Sequence, residues 1–297
     1  MIKSSYPESV QIFDRETLRL KKENCSRDFA NYNFLFDLAA KEISERLMDV
    51  NRHFANTLQI GSRGVMTPDH PQIDDLVTMD ITPKPITAAP PYIQGDEELL
   101  PIKSQSLDLA LSILNLHSVN DLPGALIQIR NVLKPDGLFM ACLFGGETLH
   151  EFRQSLTHSE IEIHGGVSPR IFPFADKMQI GSLLQRAGFA LPVIDSDIIK
   201  VSYNSMFDLI KDIRGMGEGN IISKRNKSYA GKSLFLEAAK YYQENFPAPD
   251  NKNKIEASFE IIYMAGWAPH SSQQKPLQPG SAEYSLEQAL NNPEPKE

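Results

Sequence analysis

The sequence predicts an α/β protein: an open, doubly wound sheet of seven strands, mostly parallel, with an N-terminal helical cap and a helical lid inserted late in the chain. Three observations carry this. Residues 106–149, SLDLALSILNLHSVNDLPGALIQIRNVLKPDGLFMACLFGGETL, read as strand, helix, strand, the right-handed unit that joins parallel neighbours. Short apolar runs alternate with capped amphipathic helices along the chain. A glycine turn or an acid follows each of the first three strands, where open sheets of this kind hold ligands.

Taken in order, residues 12–24 form a charged helix in which Arg15, Arg19, Lys21 and Lys22 alternate with Asp14, Glu16 and Glu23. Such interleaving reads as a solvated face, with a membrane surface or a partner as the alternative contact. Leu35, Ala39, Ile43 and Leu47 place a second helix over 33–50. The first strand, 55–60, runs into Gly61-Ser62-Arg63-Gly64. The second, 76–80, ends in Asp80 and continues as Ile81-Thr82-Pro83. The third, 92–95, leads into Asp96-Glu97-Glu98-Leu99-Leu100-Pro101.

The fourth strand, 107–114, is apolar apart from Asp108 and Ser112, as a strand buried on both faces should be. Asn120 or Asp121 caps the next helix, whose Leu122, Leu126, Ile129 and Leu133 recur at helical spacing. Lys134-Pro135-Asp136-Gly137 stops it before the fifth strand, 138–144. A helix over 148–156 and an irregular insert over 158–174 follow. Asp176 and Gln179 form a capping box for a helix that Gly188 ends. The sixth strand is 193–203. Helices at 205–214 and 228–246 flank a flexible hinge, Gly215-Met216-Gly217-Glu218-Gly219. The last strand, 257–267, is expected to lie antiparallel between the fifth and sixth. The resulting organisation is a helical cap over 1–50, a core over 51–202, a lid over 203–255, the last core strand within 256–268, and a disordered tail over 269–297.

Composition narrows the class. The chain has 297 residues, 41% of them hydrophobic, and a net charge of -8. That balance excludes a general nucleic-acid binder. Cys25 and Cys142 are the two cysteines, so no disulfide framework is implied and a reducing compartment is expected. No apolar run reaches membrane-spanning length, and the first residues lack a signal-peptide core. The expectation is a cytoplasmic protein, or a mitochondrial matrix protein if the source is eukaryotic.

The strand ends carry the chemistry. Gly61 lets a ligand approach the backbone. Asp80 is placed to accept from both hydroxyls of a ribose, and Asp96 from an exocyclic amine of adenine. The set suits an adenosine-containing cofactor, each acid alone reading equally as a loop cap. The dinucleotide pattern Gly-x-Gly-x-x-Gly is absent. His158, Glu160 and His164 have the composition of an iron facial triad, but read as a polar insert, so no metal is expected. His117 is a candidate catalytic base, with a hydrogen-bonded structural role as the alternative. Lys224, Arg225 and Lys227 read as a solvated loop.

Asp80-Ile-Thr-Pro, Asp96-Glu-Glu-Leu-Leu-Pro, Ser106-Leu-Asp-Leu and Leu133-Lys-Pro-Asp-Gly together resemble class I S-adenosylmethionine-dependent methyltransferases, which have a Rossmann-like fold. Ile12-Phe-Asp-Arg, Leu116-His-Ser-Val-Asn-Asp-Leu-Pro, Phe144-Gly-Gly-Glu-Thr-Leu, Gly165-Gly-Val-Ser-Pro-Arg and Gly215-Met-Gly-Glu-Gly-Asn narrow the resemblance. It is to the respiratory complex I assembly-factor family, which includes an arginine hydroxylase, and to the related BioC malonyl-carrier-protein methyltransferases. The resemblance implies S-adenosylmethionine as cofactor, with Gly61, Ser62 and Gly64 in its loop. It puts Asp80 and Ile81 at the ribose, Asp96 and Glu97 at the adenine, and Leu114 and Asn115 on the floor. It further implies a complex I subunit or an acyl-carrier protein as substrate. Gln59, Arg63 and Val65 stand where the usual loop has an acid and two glycines, and Ser118 where the subgroup often has Trp. The loop departures predict a narrowed turn and weak cofactor binding. Two functions follow: a methyltransferase-type enzyme acting by methyl transfer or arginine hydroxylation, and a non-catalytic assembly factor on the same fold.

Overall fold

The computed structural model describes residues 11–62, 70–83, 91–228 and 230–274. The expectations for Arg63, Gly64, Val65 and the tail past residue 274 lie outside them. Two helices, α1 (Arg15–Cys25) and α2 (Phe34–Met48), precede β1 (Phe54–Ile60), β2 (Ile73–Asp80), β3 (Tyr92–Gln94) and β4 (Leu107–Ile113). Then come α3 (Leu122–Val132), β5 (Leu133–Phe144), α4 (His150–His164), α5 (Lys177–Ala187) and β6 (Ala190–Tyr203). Helices α6 (Met206–Gly215) and α7 (Lys232–Asn245) lead to β7 (Pro247–Ala248) and β8 (Asn251–Trp267).

The sheet runs β3-β2-β1-β4-β5-β8-β6, with β7 paired to β8. Pairs among β1 to β5 are parallel, while β8 is antiparallel to both β5 and β6. The last strand therefore enters where the order of elements predicts. The eighth strand is the short β7, a hairpin partner that begins the final strand at Asn251 instead of 257.

Alternation along the central strands explains the layers. Leu109, Leu111, Met140, Cys142, Phe259 and Ile261 face one core, shared with residues of α2, α4, α6 and α7. Ala110, Phe139, Ala141, Leu143, Ile262 and Met264 face the other, closed by α3 and α5. A period of two along the strands sends these sets to opposite faces, and helices on both sides bury each. Cys142 is wholly enclosed, and burial pushes its thiol up to about 12.

Asp121, not Asn120, caps α3, accepting from Gly124 N at 2.8 Å. Asn120 instead receives Phe13 N at 2.8 Å and ties the N-terminal segment down. The capping box at Asp176 and Gln179 and the Gly188 end of α5 are both present. The irregular insert expected at 158–174 is corrected: α4 continues to His164. Ser155 and Ser159 donate back to carbonyls one turn earlier, at 2.8 and 3.0 Å, so their hydroxyls are satisfied inside the helix. The segment expected as a hinge, 215–219, forms a hydrogen-bonded turn at the end of α6. Glu218 N donates to Ile213 O at 2.9 Å and Gly217 N to Arg214 O at 3.0 Å, with Met216 buried.

Candidate functional site

At the carboxyl edge of the sheet the chain turns sharply twice. Gly61 has φ +79°, and a Cβ there would stand 2.1 Å from the Asn115 side chain, so only glycine allows the two strand ends to approach. Leu114, at φ +46°, holds a conformation that branched residues seldom adopt. Such strain persists only where the surroundings fix it; here Leu114 N donates to Cys142 O at 2.9 Å. That turn presents the Asn115 side chain against Gly61 at the end of β1.

Asp80, Glu97 and Asn115 are each at most 1% exposed and form one network. Asn115 Nδ2 donates to Glu97 Oε1 at 3.3 Å. Asp80 Oδ1 accepts from Thr82 N at 3.1 Å. The remaining members come from α1. Lys22 Nζ lies 3.0 Å from Asp80 Oδ2 and 2.6 Å from Asn115 Oδ1. Arg15 Nη2 lies 2.7 Å from Asp96 and 3.0 Å from Glu97, with Glu98 at 3.8 Å from Nε. The reading of α1 as a solvated cationic face is corrected for these two residues: Lys22 is 2% exposed. Burial alone would raise the Glu97 carboxyl; Arg15 and then Lys22 outweigh it and hold the group below the usual carboxylate range. Arg15 is lowered by burial and raised more by Glu97, Asp96 and Glu98, ending above an ordinary arginine.

The sequence-read cofactor residues that are described therefore fall in one place, Gly64 lying outside the described residues. Gly61 and Ser62 donate from their backbone N to Met79 O at 2.7 and 3.1 Å. Ile81 follows Asp80, and Ser118 donates to Asn115 O at 2.9 Å beneath Arg15. His117 packs against Phe144, Phe174 and Phe172, with ring centroids 5.0, 5.8 and 6.2 Å away. Its Nε2 is 3.0 Å from Glu218 Oε2, and Nδ1 has no hydrogen-bond partner among the described residues. Sequence reasoning missed Glu218, Lys22 and Arg15. Glu218 had a signal in the Gly215-Met-Gly-Glu-Gly-Asn motif and Arg15 in Ile12-Phe-Asp-Arg; Lys22 had none beyond its place on a helix.

Of the facial-triad composition, Glu160 is engaged by Ser168 and Arg170, with Arg170 Nη2 at 2.6 Å, and His158 stacks on Tyr241 at 4.2 Å. The described residues contain no group of three metal-ligating side chains. Burial raises the Glu160 carboxyl, but Ser168 and Arg170 bring it below its ordinary 4.5. Its stabilising contribution is full above 4.5 and fades as pH falls through the lower folded value. In thermal melts carried from neutral to acid pH, Glu160→Gln should start less stable and lose less with acidification. Parallel curves for the two proteins would show that Glu160 does not contribute to the acid limb.

A cavity of about 160 Å³ is bordered by the partners of His117: Phe144, Phe172, Phe174 and Glu218. No helix among the described residues is long and apolar enough to cross a membrane.

A family model described as a methyltransferase domain matches residues 58–141, which spans β1 to β5. Arginine-hydroxylase NDUFAF5, mitochondrial, of Mus musculus is 40% identical over 294 residues, covering 95% of this chain and 85% of that protein. Malonyl-[acyl-carrier protein] O-methyltransferase of Nitrosospira multiformis is 33% identical over 178 residues, covering 60% of this chain and 55% of that one. The crystal structure of Burkholderia thailandensis 1,6-didemethyltoxoflavin-N1-methyltransferase superposes with a TM-score of 0.51 at 15% identity, covering 91% of this chain and 93% of that one. The last likeness shows the fold. With such identity over nearly all of both chains, this protein belongs to the family of the arginine-hydroxylase NDUFAF5, with a methyltransferase domain at its core.

Proposed function

We propose that the chain is an S-adenosylmethionine-dependent enzyme that modifies a side chain of a respiratory complex I subunit. The observation that supports it best is the meeting of Asp80, Glu97 and Asn115, from the ends of β2, β3 and β4, in one buried network. Their chemistry fits an adenosyl group. A carboxylate after the second strand suits a ribose diol, carboxylates after the third suit an adenine amine, and the bare Gly61 turn suits close approach. Asp80 with Ile81 would hold the ribose and Asp96 with Glu97 the adenine. Leu114 and Asn115 would form the floor, with Gly61, Ser62 and Gly64 in the loop. When bound, the cofactor supplies a methyl group activated on a sulfonium.

The chain's own contribution is placement, exclusion of water and movement of a proton. The Glu218 carboxylate requires a donor, which puts the proton of neutral His117 on Nε2 and leaves Nδ1 as the acceptor nitrogen. His117 is thus the candidate base, set among phenylalanines beside the small cavity. Helices α6 and α7, within the 203–255 segment, act as the lid over it. The relatives' names, an arginine hydroxylase and a malonyl-[acyl-carrier protein] methyltransferase, point to a protein-borne acceptor. An arginine of a complex I subunit is favoured over a carrier-bound acyl group, because the hydroxylase covers nearly all of this chain. The setting follows: cytoplasm, or mitochondrial matrix in a eukaryote, with peripheral membrane contact at the complex.

A second reading, an assembly factor without catalysis, is favoured by the Lys22–Asp80 pair, which already neutralises the acid that the ribose needs. Mass spectrometry of complex I subunits separates the two, using cells lacking the gene and cells complemented with it. A gene-dependent gain of a methylene or of an oxygen atom on one side chain supports the enzyme and names the reaction. Restored assembly with no mass change supports the assembly factor.

A further inference from the structure

Away from the strand-end network, a larger cavity of about 870 Å³ opens between α1, α6 and α7. That is within the range of small-molecule sites, which are concave, mostly apolar and carry few polar groups. Tyr32, Ile210 and Phe235 supply apolar wall, and Phe207 and Leu236, 48% and 62% exposed, stand at the cavity as large apolar groups left open to water. Grouped exposure of this kind marks a binding surface more often than scattered single residues do.

Four cations line the same cavity, Lys21, Lys211, Arg214 and Lys232, against one carboxylate, Asp28. Among the described residues none of the four has an ion-pair partner, whereas Arg15, Arg19, Lys22 and Arg225 on neighbouring positions all do. Burial first, then Arg225 and Arg214, hold the Lys21 ammonium below the usual lysine range, the behaviour of a cation with nothing negative beside it. Gly219 is bare at that point: a Cβ there would stand 2.8 Å from Lys21 Nζ. Ile210, Arg214, Gly219 and Phe235 border both this cavity and the small one near His117.

We propose that this cavity binds a single-chain anionic amphiphile, a long acyl chain ending in a carboxylate. Its chain lies on Phe207, Ile210, Phe235 and Leu236, and its head among Lys21, Lys211 and Arg214. Cations beside an apolar hollow fit that chemistry: a neutral chain makes no use of the cations, three of which, Lys211, Arg214 and Lys232, are exposed, and a compact anion leaves the apolar wall wet. A cationic peptide is repelled by the rim.

The test titrates the full chain by calorimetry with palmitate below its aggregation limit, with hexadecanol, and with vesicles of phosphatidylglycerol in phosphatidylcholine. Palmitate is expected to bind in the micromolar range and hexadecanol at least about ten-fold more weakly, a difference of about 1.4 kcal/mol. The double variant Lys21→Gln, Arg214→Gln should weaken palmitate about ten-fold. Leu236→Asp, at an exposed position where folding is safe, should do the same, while Arg19→Gln, on a cation already paired with Glu16 and Glu23, should not. Circular dichroism confirms that each variant is folded. Equal binding of hexadecanol, palmitate binding untouched by these substitutions, or uptake of vesicles with no binding of free palmitate would each overturn the assignment, the last giving the face to a membrane surface.

Discussion

Replacing Lys22 with methionine is expected to lower the stability of the unliganded protein by about 3–5 kcal/mol, the cost of removing one partner of a buried ion pair. Methionine retains much of the stem, so the change reads the ammonium, not a cavity. Asp80, 1% exposed, would lose its countercharge, and Asn115 Oδ1 the donor at 2.6 Å. The contrast is Lys41–Glu45, with side chains 78% and 61% exposed at 3.6 Å, where a pair contributes at most about 1 kcal/mol. Urea unfolding followed through midpoint and slope gives the comparison. A drop for Lys22→Met no larger than for Lys41→Met would mean that water reaches Asp80 and that α1 does not seal the strand ends. Adding Asp80→Leu to Lys22→Met should recover part of the loss, because the stranded charge goes with it.

What the sequence made legible, and what it hid, divides by distance along the chain. The central strands announced themselves because alternation and run length are local, and the capping box at Asp176 with Gln179 spans one helical turn. The strand-end acids were legible for the same reason: a residue's position at the end of a strand follows from the strand. What faces those acids was not. Lys22 meets partners 58 and 93 residues away, and no local pattern separates it from Arg19, three residues earlier, which pairs on the helix surface. Leu18, Lys22 and Cys25 share one buried face of α1, so helical spacing was present, with a lysine in the seam where an apolar residue signals burial. The continuation of α4 past His158 was hidden by composition. Its serines and Glu160 look like loop residues until their hydroxyls turn to the helix and the carboxylate meets Arg170. The glycines at 215–219 suggested freedom; one of them instead makes room for the Tyr32 ring against Gly215, and their turn delivers Glu218 to His117.

For the cofactor, Asp80→Asn is expected to weaken S-adenosylmethionine binding by about 1–3 kcal/mol, or roughly 5- to 150-fold, the size of a lost charge-assisted hydrogen bond. In the unaltered protein that number would be confounded, since the substitution also leaves the buried Lys22 ammonium facing a neutral amide. The informative background is Lys22→Met. There the acid stands uncontested, and if ribose hydroxyls and the ammonium compete for its Oδ2, the cofactor should bind Lys22→Met more tightly than the parent and raise its melting temperature further. Asp80→Asn placed in that background should then remove the gain, because the amide keeps the shape of the carboxylate but not the charge that favours two hydroxyl donors. The three affinities order as Lys22→Met above parent above Lys22→Met with Asp80→Asn. Calorimetry reads all three. If the acid and the amide bind the cofactor equally well once the lysine is gone, Asp80 has no part in holding a ribose, and its burial against α1 is a structural seal on the carboxyl edge of the sheet.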